Sequence, residues 1–327
     1  MNGRPVRIFP SFPIFKKRFP FFRRDRAPVI GGLLLLMAAS LGSAAALAPG
    51  KSTFGERGYI ESIAGDLPLI ISAPHGGREA PEEIPDRVTG VTQTDANTQE
   101  LARAVAAEIT ARTGHHAHVI ICRLARRKLD CNREIAEAAA GSPIAERAWG
   151  EYHSFIEQAC AAAVAKSGRG FLIDLHGQSH KDQRIELGYL HSIEALALPD
   201  AALNAPAIAA AGSLRLLAAR SKLPYAELLR GPRSLGALLM AQGYRATPSP
   251  ELPSPVLPFF IGGYTVARHT RSGTQIAGLQ IEANLAGVRD SAAAREKFAR
   301  ALVTVLGEFL AEQFAMPIVP TAGGAGR

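Results

Sequence analysis

Two histidines stand in the same short setting. SAPHGG (72–77) and IDLHG (173–177) each run from an apolar stretch into a histidine and then glycine. Each apolar run reads as a buried strand, so His75 and His176 fall at strand carboxyl ends. That is where open α/β sheets bind ligands. Glycine after each histidine lets the backbone come close to a neighbour. Two imidazoles meeting over one sheet edge suit a divalent metal, zinc above all, and an open zinc site needs a third ligand, commonly a carboxylate. Glu79, four residues past His75, and Asp95, at the head of a helical stretch, both qualify. Asp95 has an ordinary alternative role as a helix cap. Asp174 lies two residues before His176, on the same strand face, where it can orient the imidazole.

Two further stretches carry chemistry. RRKLDCNR (126–133) follows the apolar strand HVIIC (118–122) and places Arg126, Asp130, Asn132 and Arg133 together, a group suited to an anion with Asp130 steadying an arginine. In IAGLQIEAN (276–284), Gln280 and Glu282 alternate with apolar residues. A carboxylate near a buried strand end is costly without a partner or a task. Glu282 therefore reads either as a general base of raised pKa acting on an activated water, or as an ion-pair partner of Arg268 or Arg289.

The elements that must position these groups alternate. GYIESIAGDLPLIIS (58–72) reads as two strands joined by a turn. Helical spacing covers 95–113, and a strand covers 118–122. A long helix over 142–166 opens on Ser142 and Pro143. Strand 170–177 follows, with 184–190 pairing beside it. Helical stretches lie near 207–220 and 234–242. Residues 248–258 hold five prolines and read as an extended loop. Residues 264–268 and 276–282 read as strands, and 291–314 as a closing helix. The pattern predicts an α/β fold in a single domain, with a mixed, mostly parallel central sheet flanked by helices.

Composition narrows the function classes. The chain of 327 residues has net charge +8, but residues 1–28 hold eight basic side chains against one acid and so carry +7 of it. The nearly neutral remainder has no excess charge to neutralise phosphates, which excludes a nucleic-acid partner. The basic leader runs into an apolar stretch from Val29 and an A-x-A site at Ala46–Ala48. Residues 1–48 thus read as a secretory signal, or as an N-terminal anchor if retained. The rest is expected in the periplasm or outside the cell, touching a membrane only through the leader. Three cysteines, Cys122, Cys131 and Cys160, allow one disulfide at most and form no metal cluster.

These motifs, in this order, together with TDANTQELA (94–102) and FIGGYTVARH (260–269), resemble the N-formylglutamate amidohydrolase family of the wider zinc-carboxypeptidase-like group. The resemblance implies a carboxypeptidase-like or phosphorylase/hydrolase-like catalytic domain over 55–316, with 317–327 a disordered tail. It implies one zinc ion on His75, Asp95 and His176, preferring Asp95 to Glu79. Arg126 would polarise the scissile carbonyl and Glu282 would be the general base. Asn132 and Arg133 would clamp a substrate carboxylate, and Tyr264 would close over the substrate. Gly76 and Cys131 depart from the family's pattern. An exported member implies a substrate other than N-formylglutamate itself, such as another N-acyl amino acid or a cell-wall peptide. A zinc carboxypeptidase-like wall hydrolase and a solute-binding module without catalysis are the alternatives.

Overall fold

The computed structural model describes residues 47–318. Residues 1–46 of the expected leader and all but the first two residues of the expected tail lie outside that range. The tail's Ile318 is buried against the core, as is Met316 just before it.

Eight strands form one sheet: β1 Ser52–Phe54, β2 Ile60–Ile63, β3 Leu69–Ala73, β4 His118–Cys122, β5 Gly170–Gln178, β6 Ile185–Gly188, β7 Ala246–Thr247 and β8 Ile276–Asn284. The spatial order is β1-β2-β4-β3-β5-β8-β6-β7. The central strands β4, β3, β5 and β8 are mutually parallel, while β2 joins β4 and β6 joins β8 antiparallel. This is the mixed, mostly parallel α/β sheet expected from the strand and helix alternation. Every residue of β3, β4 and β8 is buried. Such strands need helices on both faces, which explains their near-continuous apolar runs.

Side-chain alternation divides the core in two. Leu69, Ile71, Val119, Ile121, Phe171 and Ile173 face the layer containing the Thr98–Thr113 and Ala292–Phe314 helices. Ile70, Ile120 and Leu172 face the Pro143–Ser167 helix with Tyr152 and Ile156. The Ser142 hydroxyl caps that helix by accepting from the Ala145 N–H, and Gly168 closes it in the left-handed conformation. Cys122, Cys131 and Cys160 are free. Among the described residues, no helix is long and apolar enough to cross a membrane.

Three expectations change. β2 and β3 are not a hairpin: β4 lies between them, because fully buried β3 takes a parallel neighbour on each side. The 184–190 segment pairs with β8 rather than β5. Residues 264–268 are not a strand but the start of the helix Tyr264–His269, whose buried Thr265, Val266 and His269 fit helical spacing.

Candidate metal centre and cleft

β3, β5 and β8 end side by side, and their carboxyl ends carry the chemistry. The register sets Ser72 beside Asp174 and His176 beside Glu282. Just past β3, His75 is held where its carbonyl accepts the Asp95 N–H at 3.0 Å. The two glycines after it are needed for space: a Cβ on Gly76 would meet Thr98 and Gln99, and one on Gly77 would meet the backbone of Arg123 and Leu124.

His75, Asp95 and His176 converge. Nδ1 of each imidazole lies 3.4 Å from Asp95 Oδ2, and the ring centroids are 4.7 Å apart. One donor atom from each of the three falls within 4.8 Å of the others, close enough to share a cation. The second nitrogens are already committed. His75 Nε2 is 2.6 Å from Asp130 Oδ1, and His176 Nε2 is 2.8 Å from Asp174 Oδ2. Both carboxylates are fully buried. Asp130 also accepts from Arg126 Nε at 2.9 Å and from the Asn132 N–H at 3.0 Å, and Asp174 accepts from the Ser72 hydroxyl at 2.7 Å. A carboxylate behind each imidazole fixes the tautomer so that the forward nitrogen presents a lone pair, the usual support of a metal-binding histidine. His75 Nδ1 is buried with no hydrogen-bond partner among the described residues. An orphaned imidazole nitrogen facing a carboxylate and a second imidazole fits a divalent metal. Glu79 is elsewhere, half-exposed and 2.5 Å from Arg123.

The electrostatics favour a cation at this point. Burial alone would raise the Asp95 pKa, but the imidazoles of His75 and His176 outweigh it and hold the carboxyl well below its ordinary value. For His176 burial would lower the pKa, yet Asp174, Asp95 and Glu282 drive it well up. Glu282, nearly inaccessible, sits 4.0 Å from His176 Nδ1, and Gln280 Nε2 donates to its Oε1 at 2.8 Å. Burial pushes its pKa up to about 8, with Asp95 and Glu186 adding to the rise against His176. Neither Arg268 nor Arg289 pairs with it. Arg268 binds Glu157, and Arg289 donates to the carbonyls of Ala283, Ala96 and Gln178.

The centre opens into a cleft of about 480 Å³. Arg126 lines it, 3.4 Å from Asp95 Oδ1 through Nη1. Arg133 lines it with a guanidinium one-third exposed and 3.2 Å from Glu137. Asn132 lines it too, but its Oδ1 accepts the Thr265 N–H at 2.8 Å, so its amide holds the Gly263–Thr265 turn. Tyr264 is not brought to the cleft. Its ring packs on His153 and Trp149, its hydroxyl accepts from Arg268, and the wall there is Gly262 and Gly263. Of the groups around the centre, the support of His75 by Asp130 was missed in the sequence. Asp130 is 55 residues from His75, and the basic residues of its own motif offer it nearer partners.

No protein-family model matches the chain. No curated protein matches it either. Among solved structures it is similar to an N-formylglutamate amidohydrolase from Ralstonia eutropha JMP134, at 15% identity and TM-score 0.44 over 79% of this chain and 96% of that one. A gene product from Agrobacterium tumefaciens is similar at 15% identity and TM-score 0.44, over 77% and 94%. So is the apo form of an N-acetylmuramyl-L-alanine amidase from Mycobacterium abscessus, at 13% identity and TM-score 0.31, over 74% and 98%. At such identities and scores, the chemistry of the site rests on its own side chains.

Proposed function

We propose that this chain is an exported, zinc-dependent hydrolase that cleaves the amide of an N-acyl amino acid or short peptide bearing a free carboxylate. One observation carries the reading. Two imidazoles and a carboxylate converge at the open edge of the sheet, each imidazole backed by a buried carboxylate, with the buried Glu282 4.0 Å from one of them. Export rests on the leader, and a carboxylate-bearing substrate rests on Arg133.

His75, Asp95 and His176 would hold the zinc ion, which would supply Lewis acidity and a water of pKa about 7. The remaining work belongs to the chain. Asp130 and Asp174 hold the two tautomers. Glu282 takes the proton of the attacking water, at the oxygen that Gln280 leaves free, and hands it to the leaving nitrogen. A carboxyl with its pKa raised towards neutrality suits both transfers. Arg126, oriented by Asp130, donates to the developing oxyanion, a contact of the kind worth about 3 kcal/mol. Arg133 clamps the carboxylate, and Asn132 holds the Gly263–Thr265 turn that forms part of the cleft wall. A binding module does not need a buried base beside its ligand, so Glu282 favours the enzyme over the solute-binding alternative.

The test is Glu282→Gln, which keeps the shape and removes the base. It should retain about one zinc per chain while kcat falls about 10²- to 10⁴-fold on any N-acyl amino acid the wild type hydrolyses. Undiminished turnover would remove Glu282 from its role, and a wild type that binds no zinc would remove the whole reading.

A further inference from the structure

Beyond the triad, the cleft has a second wall that the hydrolysis described above does not use. Its anchor is Glu186 on β6, a carboxylate with no exposure. Glu186 Oε1 is 2.9 Å from His180 Nδ1 and 3.2 Å from Arg184 Nη2, and Oε2 accepts the Phe260 N–H at 3.1 Å. Arg184 already balances the buried charge, so neutralising Glu186 does not require a histidine. The imidazole is instead a group that Glu186 orients. Its loop is fixed as well: the His180 N–H donates to Gln178 Oε1 at 2.5 Å, and Gln178 Nε2 donates to the Arg184 carbonyl at 2.7 Å. His180 then lies flat on Phe260, with ring centroids 5.2 Å apart and planes 21° from parallel. Both rings line the cleft, as do Val91 and Leu285.

Three large apolar side chains of the cleft lining stand open to solvent. Phe260 is 46% exposed, Val91 49% and Leu285 38%. They are three of the eleven large apolar side chains exposed among the described residues, and all three line this one cleft. Apolar surface left in water costs about 25 cal/mol per Å² relative to burial, so a ligand group that covers it gains that amount. Three such side chains on the lining of one cleft mark a binding surface, where single scattered residues would mark nothing.

We infer that His180 and Phe260, with Val91 and Leu285, form a subsite for an aromatic group of the substrate. The aromatic ring would pack against the open side of the stacked His180–Phe260 pair, with His180 Nε2 as a polar contact at the edge of the stack. Offset or edge-on packing of rings adds to the burial of apolar area, which selects an aromatic group over an aliphatic one. The inference rests on the amide-hydrolase reading for its substrate class, an amino acid that carries the ring either on its N-acyl group or on its side chain. It disfavours a small, doubly charged formyl amino acid.

The experiment separates the two claims. Calorimetric titration of the full-length, metal-free chain with N-benzoylglycine, N-formylphenylalanine and N-formylglycine measures the subsite without turnover. At least one aromatic compound should bind tenfold or more tightly than N-formylglycine, and the identity of the tighter one places the ring on the acyl or the side-chain arm. Phe260→Leu, which keeps an apolar side chain at the position, should cut that preference about three- to tenfold. His180→Ala should cut it too, raising KM more than it lowers kcat in the zinc-loaded enzyme. Equal affinities for all three compounds, or a preference untouched by both variants, would overturn the subsite. An aromatic preference with no hydrolysis of any compound would leave the subsite standing and remove the hydrolase. Hydrolysis of all three with equal KM would do the reverse.

Discussion

Two buried histidine pairs sit within this one chain, and they have opposite characters. His75 and His176 lie at strand ends, and the carboxylates of Asp95, Asp130, Asp174 and Glu282 stand within 4.0 Å of one ring or the other. His153 and His269 lie on the Pro143–Ser167 and Tyr264–His269 helices. They are bounded by Trp149, Tyr152 and Tyr264, with Arg268 nearby and no ion pair to a carboxylate among the described residues. The second pair satisfies itself. His153 Nε2 donates to the Cys131 carbonyl at 3.0 Å, and His269 Nε2 then donates to His153 Nδ1 at 2.9 Å. Each ring is neutral and paired. In the first pair the carboxylates take the rear nitrogens, and the forward nitrogens face one another with His75 Nδ1 unpartnered. Proximity of two imidazoles therefore does not define a cation site. The carboxylates behind them do, by setting both the tautomer and the charge.

The comparison breaks most sharply at the metal. His176→Gln should reduce zinc from about one equivalent per chain to a trace after dialysis, read by elemental analysis, while His269→Leu should leave it at one. Zinc that survives His176→Gln, or follows His269, would invert the assignment of the two pairs. A smaller effect tests the rear carboxylates. Asp130→Asn keeps the shape but loses the charge that orients His75, and zinc affinity should fall about 10- to 100-fold in a competition with a chromophoric chelator. An unchanged affinity would mean that Asp130 serves Arg126 and Arg87 only. His269→Leu has a cost of its own. It removes the donor to His153 Nδ1 and leaves a buried nitrogen unpaired, for about 1–3 kcal/mol of stability by urea denaturation.

Much of this was legible in the residues, and for a physical reason. Burial on both faces forces β3, β4, β5 and β8 into apolar runs, and a histidine that ends such a run has nowhere to go but the carboxyl edge of the sheet. The long helices announce themselves through caps such as Ser142 and Gly168. Partner choice between strands is not written locally. Nothing in residues 58–72 says that β4 will come between β2 and β3, because pairing is settled by contacts far apart in the chain. Tyr264–His269 misleads for a related reason. Its β-branched and aromatic residues favour a strand, but the turn held by Asn132 delivers them to the flank of β5 as a short helix. The cleft wall at His180 was equally hidden, since its meaning depends on Glu186 and Phe260, six and eighty residues away.

The smallest effect, and the finest test of the contrast, is in acid. From an ordinary value of 6.5, burial lowers the pKa of His153 to about 4 and of His269 to about 2; Arg268 acts in the same direction on both rings, and the His153 ring adds to the drop at His269. A depressed histidine contributes stability that is complete above the unfolded value and is lost as pH falls towards the folded one. Between pH 6.5 and 4 the unfolded chain binds protons that the folded chain refuses, so the free energy of unfolding falls. His118, buried on β4 with a pKa of about 4, acts in the same sense. His176 in the metal-free protein has the opposite sign: its raised pKa contributes stability already complete below 6.5, and that stability is lost only as pH rises through the folded value. Acidification from pH 7 to 5 should therefore cost about 1–2 kcal/mol for each depressed ring in urea denaturation, against an offsetting gain from His176 of no more than about 0.8 kcal/mol. Imidazole resonances followed by NMR over the same range assign the loss: those of His153 and His269 should stay in the neutral position down to pH 5, while that of His176 should already be protonated at pH 7. A His153 resonance with its midpoint near 6.5 would show that the second pair is open to water, and the distinction between the pairs would then rest on metal binding alone.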